Sequence, residues 1–321
     1  MTSRFVGRYV AARVLQAVAV LVAAYTLTFL ILEALPGNAV DAITGGQASQ
    51  MTPQQLEALK VQFGLNRPVY SQWWLHLSQL FQGNLGRSFI TGEPVSTELA
   101  ANFPSSAALI GLALLIAVVF GGGLALWATY SRSGWLRGLL LSLPPLGVAV
   151  PTFWVGLMLL QVFSFDFHVF PGTGNEGIMS LILPAVTMAI PSGALIASLL
   201  ARSLDGALTA PYADTARSKG ASEARVQFRH ALRNALTSTV TVSGILVGQL
   251  LTSAVVIETV FSRAGLGQLT DTAVSNADIP VVQGMVVLGA AVFVVINLVV
   301  DLTYPLLDPR VVLTGRSWAV A

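Results

Sequence analysis

Six long intervals without a charged residue limit what this sequence can fold into. They lie between Arg13 and Glu33, Glu98 and Arg132, Arg137 and Asp166, Glu176 and Arg202, Arg233 and Glu258, and Asp278 and Asp301. A helix that crosses a bilayer needs about 20 predominantly apolar residues, and each interval meets that length or nearly so. We therefore predict an all-α polytopic membrane protein with six transmembrane helices.

The composition supports this class and excludes others. Charged residues make up 10% of the 321 residues, whereas soluble domains carry about 25%. A net charge of +2 without a dense basic stripe argues against nucleic acid as a partner. The sequence has no cysteine, so disulfides and thiolate metal sites are excluded.

The distribution of Lys and Arg predicts the orientation of the spans. Basic residues in short loops mark the cytoplasmic side, and one set of flanks holds thirteen of the 17. Of the other four, Lys60, Arg67 and Arg87 lie in a loop too long for the rule, which leaves only Arg263. Both termini are therefore predicted to be cytoplasmic.

These patterns predict the boundaries of each segment. The predicted segments are a cytoplasmic N-terminal segment at 1–13, spans at 14–32, 105–131, 138–163, 178–201, 237–261 and 282–306, an external helical insertion at 33–104, a cytoplasmic loop at 202–236 (the basic loop) and a cytoplasmic tail at 307–321.

The external insertion carries its own helix signals. Thr52 and Gln55 form a capping-box pattern with Pro53 at the first helical position, and Gly64 predicts the helix end. An amphipathic stretch from Tyr70 to Phe81 predicts a second helix, which Gly83 ends. Packing against the protein's own helices is the favoured interpretation, and direct ligand contact is the alternative.

The basic loop is predicted to form two short helices. Thr209 is a candidate cap for the first, with Pro211 in its first turn and Gly220 as its break. Ser222 is a fresh N-cap for the second. The alternative is that the loop is basic only because it is cytoplasmic.

The first of these helices has a face with little side-chain bulk. Ala213 and Ala216 lie three residues apart, so this face could lie deep in a partner's groove. Arg217 and Lys219 near the helix end favour the helix dipole and an acidic partner.

Helix breakers and polar residues occur within the apolar intervals. Residues 121–123, all glycine, are expected to interrupt the second span, and Pro151 falls in the third. Gly244 and Gly248 form a G-x-x-x-G pattern on the fifth. Glu258, near the outer end of its span, is expected to reach interfacial water. The candidate pore or gate residues are Gln161, Gln249, Glu258 and Asn297. For the amides, interhelical hydrogen bonding is the favoured interpretation and substrate contact is the alternative.

No catalytic or metal-binding motif is present. The phosphate-binding pattern G-x-x-x-x-G-K-[ST], H-E-x-x-H and G-x-S-x-G are all missing, and the three histidines lie in separate segments. We predict no catalytic residues and no metal ligands. If ATP drives this protein, another polypeptide must supply the nucleotide site.

The basic loop and fragments along almost the whole chain resemble a known family. The loop reads Tyr212-Ala-Asp-Thr-Ala-Arg-Ser-Lys-Gly220-Ala-Ser-Glu, and Leu35-Pro36-Gly37, Pro151-Thr-Phe-Trp154 and Glu258-Thr-Val-Phe-Ser262 fit as well. Together they resemble the permeases of binding-protein-dependent ABC importers, most closely the B-type permease subunit of the dipeptide/oligopeptide (peptide/nickel) family.

The resemblance implies a type I ABC importer permease architecture, with a permease core at 97–306. This chain would then lie in the bacterial cytoplasmic membrane. It would pair with a second related permease, two cytoplasmic ATPases and an external peptide-binding protein. ATP and Mg²⁺ would be bound by the ATPases, with no cofactor on this chain. The residues implied to couple this chain to the ATPase are Tyr212, Ala213, Asp214, Thr215, Ala216, Arg217, Lys219, Gly220 and Glu223.

Two positions depart from the family pattern. Asp214 stands where a basic residue is common, and Arg263-Ala264 stands where the family usually has Trp-Pro. The first affects contact electrostatics with the ATPase, and the second affects an external turn.

Other functions stay open at this point. Import of nickel chelates or glutathione is the alternative within the same family. A stand-alone polytopic membrane enzyme or carrier is the alternative from a different class. The lack of paired carboxylates or intramembrane charges argues against the different class.

Overall fold

The computed structural model describes residues 3–34, 51–62 and 66–307, and these residues are mostly helical. Within those ranges no strand forms, and Arg87 and Pro94 make an isolated antiparallel bridge. The predicted all-α class is confirmed. Leu35-Pro36-Gly37, Gly64 and the 308–321 part of the predicted tail lie outside the described residues.

The described ranges contain twelve α-helices and two π-helical turns. They are α1 (Ser3–Ala34), α2 (Pro53–Gln62), α3 (Val69–Phe81), α4 (Val95–Tyr130), α5 (Gly134–Ala149), α6 (Thr152–Leu159), π1 (Leu160–Asp166), α7 (Met179–Leu208), α8 (Pro211–Ser218), α9 (Glu223–Arg225), π2 (Val226–Ala231), α10 (Leu232–Val260), α11 (Leu266–Ser275) and α12 (Ile279–Leu307).

Several of these helices are long and apolar enough to cross a membrane. Within the described residues there are four, namely Arg13–Leu32 of α1, α4, α7 and Ile279–Val300 of α12. The pair formed by α5 and α6–π1 makes a fifth if it is counted as one span, and Gly244–Val260 of α10 is a shorter apolar helix. The number of six spans and the orientation of the termini therefore remain predictions.

The third apolar interval is broken where the sequence places a proline. α5 ends at Ala149, Val150 is extended, and α6 begins after Pro151, with a bend of 99° between the two helices. Proline disfavours helical geometry at the residue before it and has no N–H to donate. The continuous span predicted at 138–163 is thus a bent pair of helices.

The chain divides into two compact units, of which the second comprises residues 107–263 and 295–321. Within it, α7 is a central helix that contacts α5, α6 and α10. Leu109, Met188 and Ile257 from α4, α7 and α10 are among its fully buried side chains. These apolar side chains are buried against one another in one close-packed cluster, and this packing determines how the three helices are arranged.

Glycines allow close contacts between the helices of this second unit. A Cβ on Gly121 would lie 2.3 Å from the carbonyl oxygen of Gly193, so α4 and α7 touch through backbone. A Cβ on Gly244 would lie 2.9 Å from Cγ2 of Val300, which confirms a close-packing role for that glycine. The expectation that residues 121–123 interrupt the second span is wrong. α4 continues through them as one helix, and α7 packs closely against it at Gly121, which has no side chain.

The first unit comprises residues 1–106 and 264–294 and holds the helical insertion. Both hydrogen bonds of the capping box form, from the N–H of Thr52 to Oε1 of Gln55 (2.9 Å) and from the N–H of Gln55 to Oγ1 of Thr52 (3.3 Å). α3 packs on α1, where Leu77 joins Tyr25 and Phe29 in a buried cluster. The predicted packing of this amphipathic helix on the protein's own helices is confirmed.

Candidate functional site

The first helix of the basic loop, α8, begins at Pro211 and ends at Ser218. Pro211 takes the first helical position after Ala210, where its missing N–H costs nothing. The helix stops before Gly220, which has a φ of +82°, a conformation that favours glycine. Thr209 is not the N-cap. Its hydroxyl donates to the Asp205 carbonyl (3.0 Å) at the end of α7, because the preceding helix runs up to it.

Arg217 organises the loop through several contacts. Its Nη1 donates to Oδ1 of Asp214 (2.9 Å) and to the carbonyl of Leu208 (3.1 Å), and its Nε donates to Oε1 of Glu223 (3.2 Å). The hydrogen bond to Glu223, and secondarily that to Asp214, raises the pKa of Arg217. The acidic residue that departs from the family pattern therefore has an internal partner. Arg217 joins the end of α7, α8 and the start of α9.

The small face of α8 is turned toward the protein itself. Ala213 is fully buried (0% exposed), which contradicts the expectation that it lies in a partner's groove. Ala216 and Arg217 are half-buried. The exposed members of the predicted coupling set are Tyr212, Asp214, Thr215, Lys219, Gly220 and Glu223. The small residues let α8 lie close to the rest of the chain, so the polar face is the one available to a partner.

The second part of the loop is anchored to α4. Ser222 caps α9 by accepting from the N–H of Arg225 (3.4 Å), as predicted. In π2, the buried Gln227 donates through Nε2 to the carbonyl of Leu126 (2.9 Å) and to Oγ1 of Thr129 (3.1 Å). Sequence reasoning missed Gln227. Its one signal in the sequence is that an amide stands between the apolar residues at 226 and 228. That local pattern does not show that the amide bonds to a helix about 100 positions away.

An ion pair links two further helices of the same unit. Nη2 of Arg137, on α5, lies 2.8 Å from both carboxylate oxygens of Asp205, near the end of α7. Both side chains are about two-fifths exposed, so the pair is only partly shielded from solvent. Through Leu208 and Asp205, the end of α7 is therefore connected both to the loop and to α5.

The four candidate pore or gate residues have different environments. Gln249 is exposed, and Asn297 is half-buried. Gln161 is exposed and donates to Oδ1 of Asp166 (3.0 Å). Glu258 is fully buried (0% exposed), so the expectation that it reaches interfacial water is wrong.

Glu258 is buried together with a cation from the turn that follows α10. Arg263 is 4% exposed and interacts electrostatically with Glu258, while its N–H donates to the Glu258 carbonyl (2.7 Å). Its Nη1 donates to Oγ of Ser180 (3.1 Å) and to the carbonyl of Gly174 (3.4 Å). Burial lowers the pKa of Arg263, and the charge of Glu258 opposes that shift. Arg263 thus joins the end of α10 to the start of α7.

The chain is similar to known proteins along most of its length. Residues 117–313 match the family described as binding-protein-dependent transport system inner membrane component, and residues 6–110 match its N-terminal counterpart. A relative in Brucella abortus (strain 2308), named as a peptide transport system permease protein, is 38% identical over 307 residues, covering 93% of this chain and 97% of the relative. The glutathione transport system permease protein GsiC of Escherichia coli O6:H1 is 35% identical over 303 residues, covering 94% and 98%.

A solved structure shares the fold. A chain of the MetNI methionine ABC transporter, in an inward-facing conformation, matches with a TM-score of 0.55 at 16% identity. The match covers 65% of this chain and 96% of that chain.

The apolar helices and the anchored polar loop define a multi-pass membrane transporter subunit. More particularly, the chain belongs to the family of binding-protein-dependent transport system inner membrane components. It is an ABC importer permease of the bacterial inner membrane and not an enzyme.

Proposed function

We propose that this chain is the pore-forming permease subunit of an ATP-driven importer of di- and oligopeptides. The observation that carries the proposal is 38% identity, over 97% of its length, to a relative named for peptide transport. Glutathione, named for another relative, is itself a tripeptide. Both names therefore point to small peptides with free carboxylates as cargo.

On this proposal the chain works in a larger assembly. A second related permease completes the pore, and an external binding protein delivers the peptide. Two cytoplasmic ATPases bind ATP and Mg²⁺, while this chain holds no cofactor. The family description, which names a binding-protein-dependent system, supports such partners.

The exposed face of α8 is the proposed contact with the ATPase. Tyr212, Thr215 and Lys219 are exposed there, while the buried Ala213 holds the helix against its own chain. Arg217 ties α8 to α7 and α9, and Gln227 ties the following turn to α4. Movement of the ATPase would therefore reach three helices together. α7 and α4 are hydrogen-bonded to the loop, and α10 continues directly from π2.

Transport by this route is alternating access. The permease has two conformations, and the ATPases favour one of them when ATP is bound and the other when it is not. That difference in affinity shifts the relative populations of the two conformations. Among the candidate pore residues, Gln249 is retained as pore-lining because it is exposed on α10, which follows the loop directly. Glu258 is assigned instead to the buried pair with Arg263.

Uptake by the reconstituted assembly tests the cargo. The permease, its co-purifying subunits and the binding protein are placed in liposomes with internal ATP and Mg²⁺. Labelled dipeptide, tetrapeptide and glutathione are then supplied separately from outside. Accumulation of dipeptide and tetrapeptide supports the proposal, and uptake of glutathione alone supports the second candidate. Uptake of none of them, with stimulated ATP hydrolysis intact, contradicts both.

Substitution of Gly220 tests the coupling. Gly220→Val places a β-branched residue at a φ of +82°, at a cost of about 1–3 kcal/mol. We expect uptake to fall about tenfold or more, while the assembly stays inserted and still hydrolyses ATP.

Gly138→Val is the matched control for this substitution. Gly138 is exposed on α5, has no positive φ, and has no neighbour within 4 Å of an added Cβ. Normal uptake by the Gly220→Val assembly, or equal loss in the control, would contradict the coupling role of α8.

A further inference from the structure

A cavity of about 530 Å³ lies within the first unit, between α1, α3 and the start of α12. This volume is in the range of small-molecule sites, which is about 300–1,000 Å³. Its lining contains both apolar and polar side chains. Phe29, Leu32 and Val287 are apolar and come from the helices long enough to cross a membrane.

The polar part of the lining, which lies among further apolar residues, carries positive charge. Arg67 and Arg87 are its charged members, and no Asp or Glu is found among the described residues that line the cavity. Gln72, Gln79 and Gln283 add neutral amides. The two guanidinium groups therefore favour an anion in the cavity, and the amides can donate hydrogen bonds to ester or phosphate oxygens.

His76 also lines the cavity but does not add to that charge. Burial lowers the pKa of His76, and a hydrogen bond to Gln79 opposes the shift. A histidine with a lowered pKa is neutral at pH 7. The charge available to an anion is then that of the two arginines.

Aromatic residues on the wall formed by α3 indicate that the cavity lies near the membrane–water interface. α3, which forms one wall, exposes Tyr70, Trp74 and Phe81. Exposed Tyr and Trp are enriched at the membrane–water interface. Trp73 of the same helix donates to Oγ1 of Thr26 (3.2 Å), a residue within the apolar part of α1. The polar lining is thus held beside the membrane-spanning part of α1.

We propose that this cavity binds one anionic phospholipid. Arg67 and Arg87 contact the phosphodiester, the amides bind the headgroup and ester oxygens, and Phe29 and Val287 contact the upper part of an acyl chain. The apolar wall favours a lipid over a free anion, because a small anion would leave that wall in contact with water. Bound in this way, the lipid connects α3 to α1 and α12.

Native mass spectrometry of the intact chain, purified in detergent with its co-purifying subunits, tests the site. Phosphatidylglycerol is titrated against wild type, Arg67→Gln and Arg67→Gln/Arg87→Gln. Arg67 is exposed, so its substitution should leave the fold intact. Loss of each cation should weaken retention about fivefold. Arg132→Gln, at an exposed position outside the cavity, is the matched control and should retain lipid as wild type does.

The competing ligands separate the possible sources of the anion. Phosphatidylethanolamine should bind more weakly than phosphatidylglycerol, and inorganic phosphate or glycerophosphoglycerol should not displace the lipid at equal concentration. Displacement by inorganic phosphate would overturn the assignment to a lipid. Equal retention by wild type and the double variant, or equal loss in the Arg132→Gln control, would overturn the site itself.

A photoactivatable phosphatidylglycerol supplies a second measurement, which does not depend on the variants. Crosslinks should map to His76 on α3 and to Val287 on α12, which face the same cavity. Crosslinks spread evenly along the exposed faces of α1 and α12 would indicate an ordinary lipid shell and would overturn the proposal.

Discussion

Two arginines join loops to helices within the second unit, and their surroundings are opposite. Arg217 contacts Asp214 and Glu223 in a loop where both carboxylates are largely exposed. Arg263 is buried beside Glu258, which has no exposed surface at all. The same ionic chemistry therefore serves two purposes. In the loop it holds short helices together at the protein surface, and in the turn it is part of the protein's own interior.

The difference follows from solvation. An exposed ion pair gives up little hydration and gains little, so it is worth about 1 kcal/mol or less. A buried pair has lost its hydration, and its members depend on each other to offset that cost. Loss of one partner should therefore be tolerated in the loop and damaging in the turn.

The largest effect is expected for Arg263→Met. This change leaves Glu258 buried without its cation, and breaking such a pair costs about 3–5 kcal/mol. The free energy of unfolding in mixed micelles measures the loss. Glu258→Gln/Arg263→Met is the control and should recover most of it, because it removes both charges. A single variant as stable as wild type would remove the distinction between the two regions.

A somewhat smaller loss of stability is expected for Gly121→Ala. This variant tests whether close packing without any charge also makes the second unit sensitive to substitution. The added Cβ would lie 2.3 Å from the Gly193 carbonyl oxygen. Overpacking of this kind costs about 1–3 kcal/mol. Gly123→Ala, on the same helix with no neighbour within 4 Å of the new Cβ, is the control and should not destabilise. Equal stability of the two variants would argue against close contact between α4 and α7.

The smallest effect on stability is expected for Arg217→Ala. Its ion pairs are exposed, so unfolding should change by about 1 kcal/mol or less, and 1 M salt should reduce the difference further. Peptide uptake per ATP hydrolysed should nevertheless fall, because α8 loses its contacts to α7 and α9. Lys219→Ala provides a comparison at an exposed position beside it. A large loss of stability in Arg217→Ala would show that the loop, like the turn, is part of the core.

Local signals predicted the features that depend on neighbouring residues. The capping box at Thr52, the cap at Ser222 and the break at Gly220 all appear as expected. Each is decided by backbone geometry and hydrogen bonds within about four positions. The one local cap that failed, Thr209, did so because α7 extends to that residue and uses its hydroxyl.

Features that depend on another helix were missed or misjudged. Residues 121–123 looked like a break, but the helix continues through them, and Gly121 is where α7 approaches α4. Ala213 looked like a face for a partner, but its own chain covers it. Glu258 looked solvated at a span end, but it is fully buried, and the buried Arg263 of the following turn interacts with it electrostatically. In each case the sequence shows a side chain's size or charge but not what lies against it.

By itself the sequence determined that this chain is a helical membrane protein with a polar loop of two short helices. Apolar length and the scarcity of charge are enough for that, because unpaired backbone and charge are costly in lipid. Tertiary structure alone decided which face of α8 is free and that Glu258 and Arg263 are buried together. It also decided that two arginines, twenty residues apart in sequence, share one cavity. Those features depend on which other segments pack around these residues, and the local order of residues does not encode that packing.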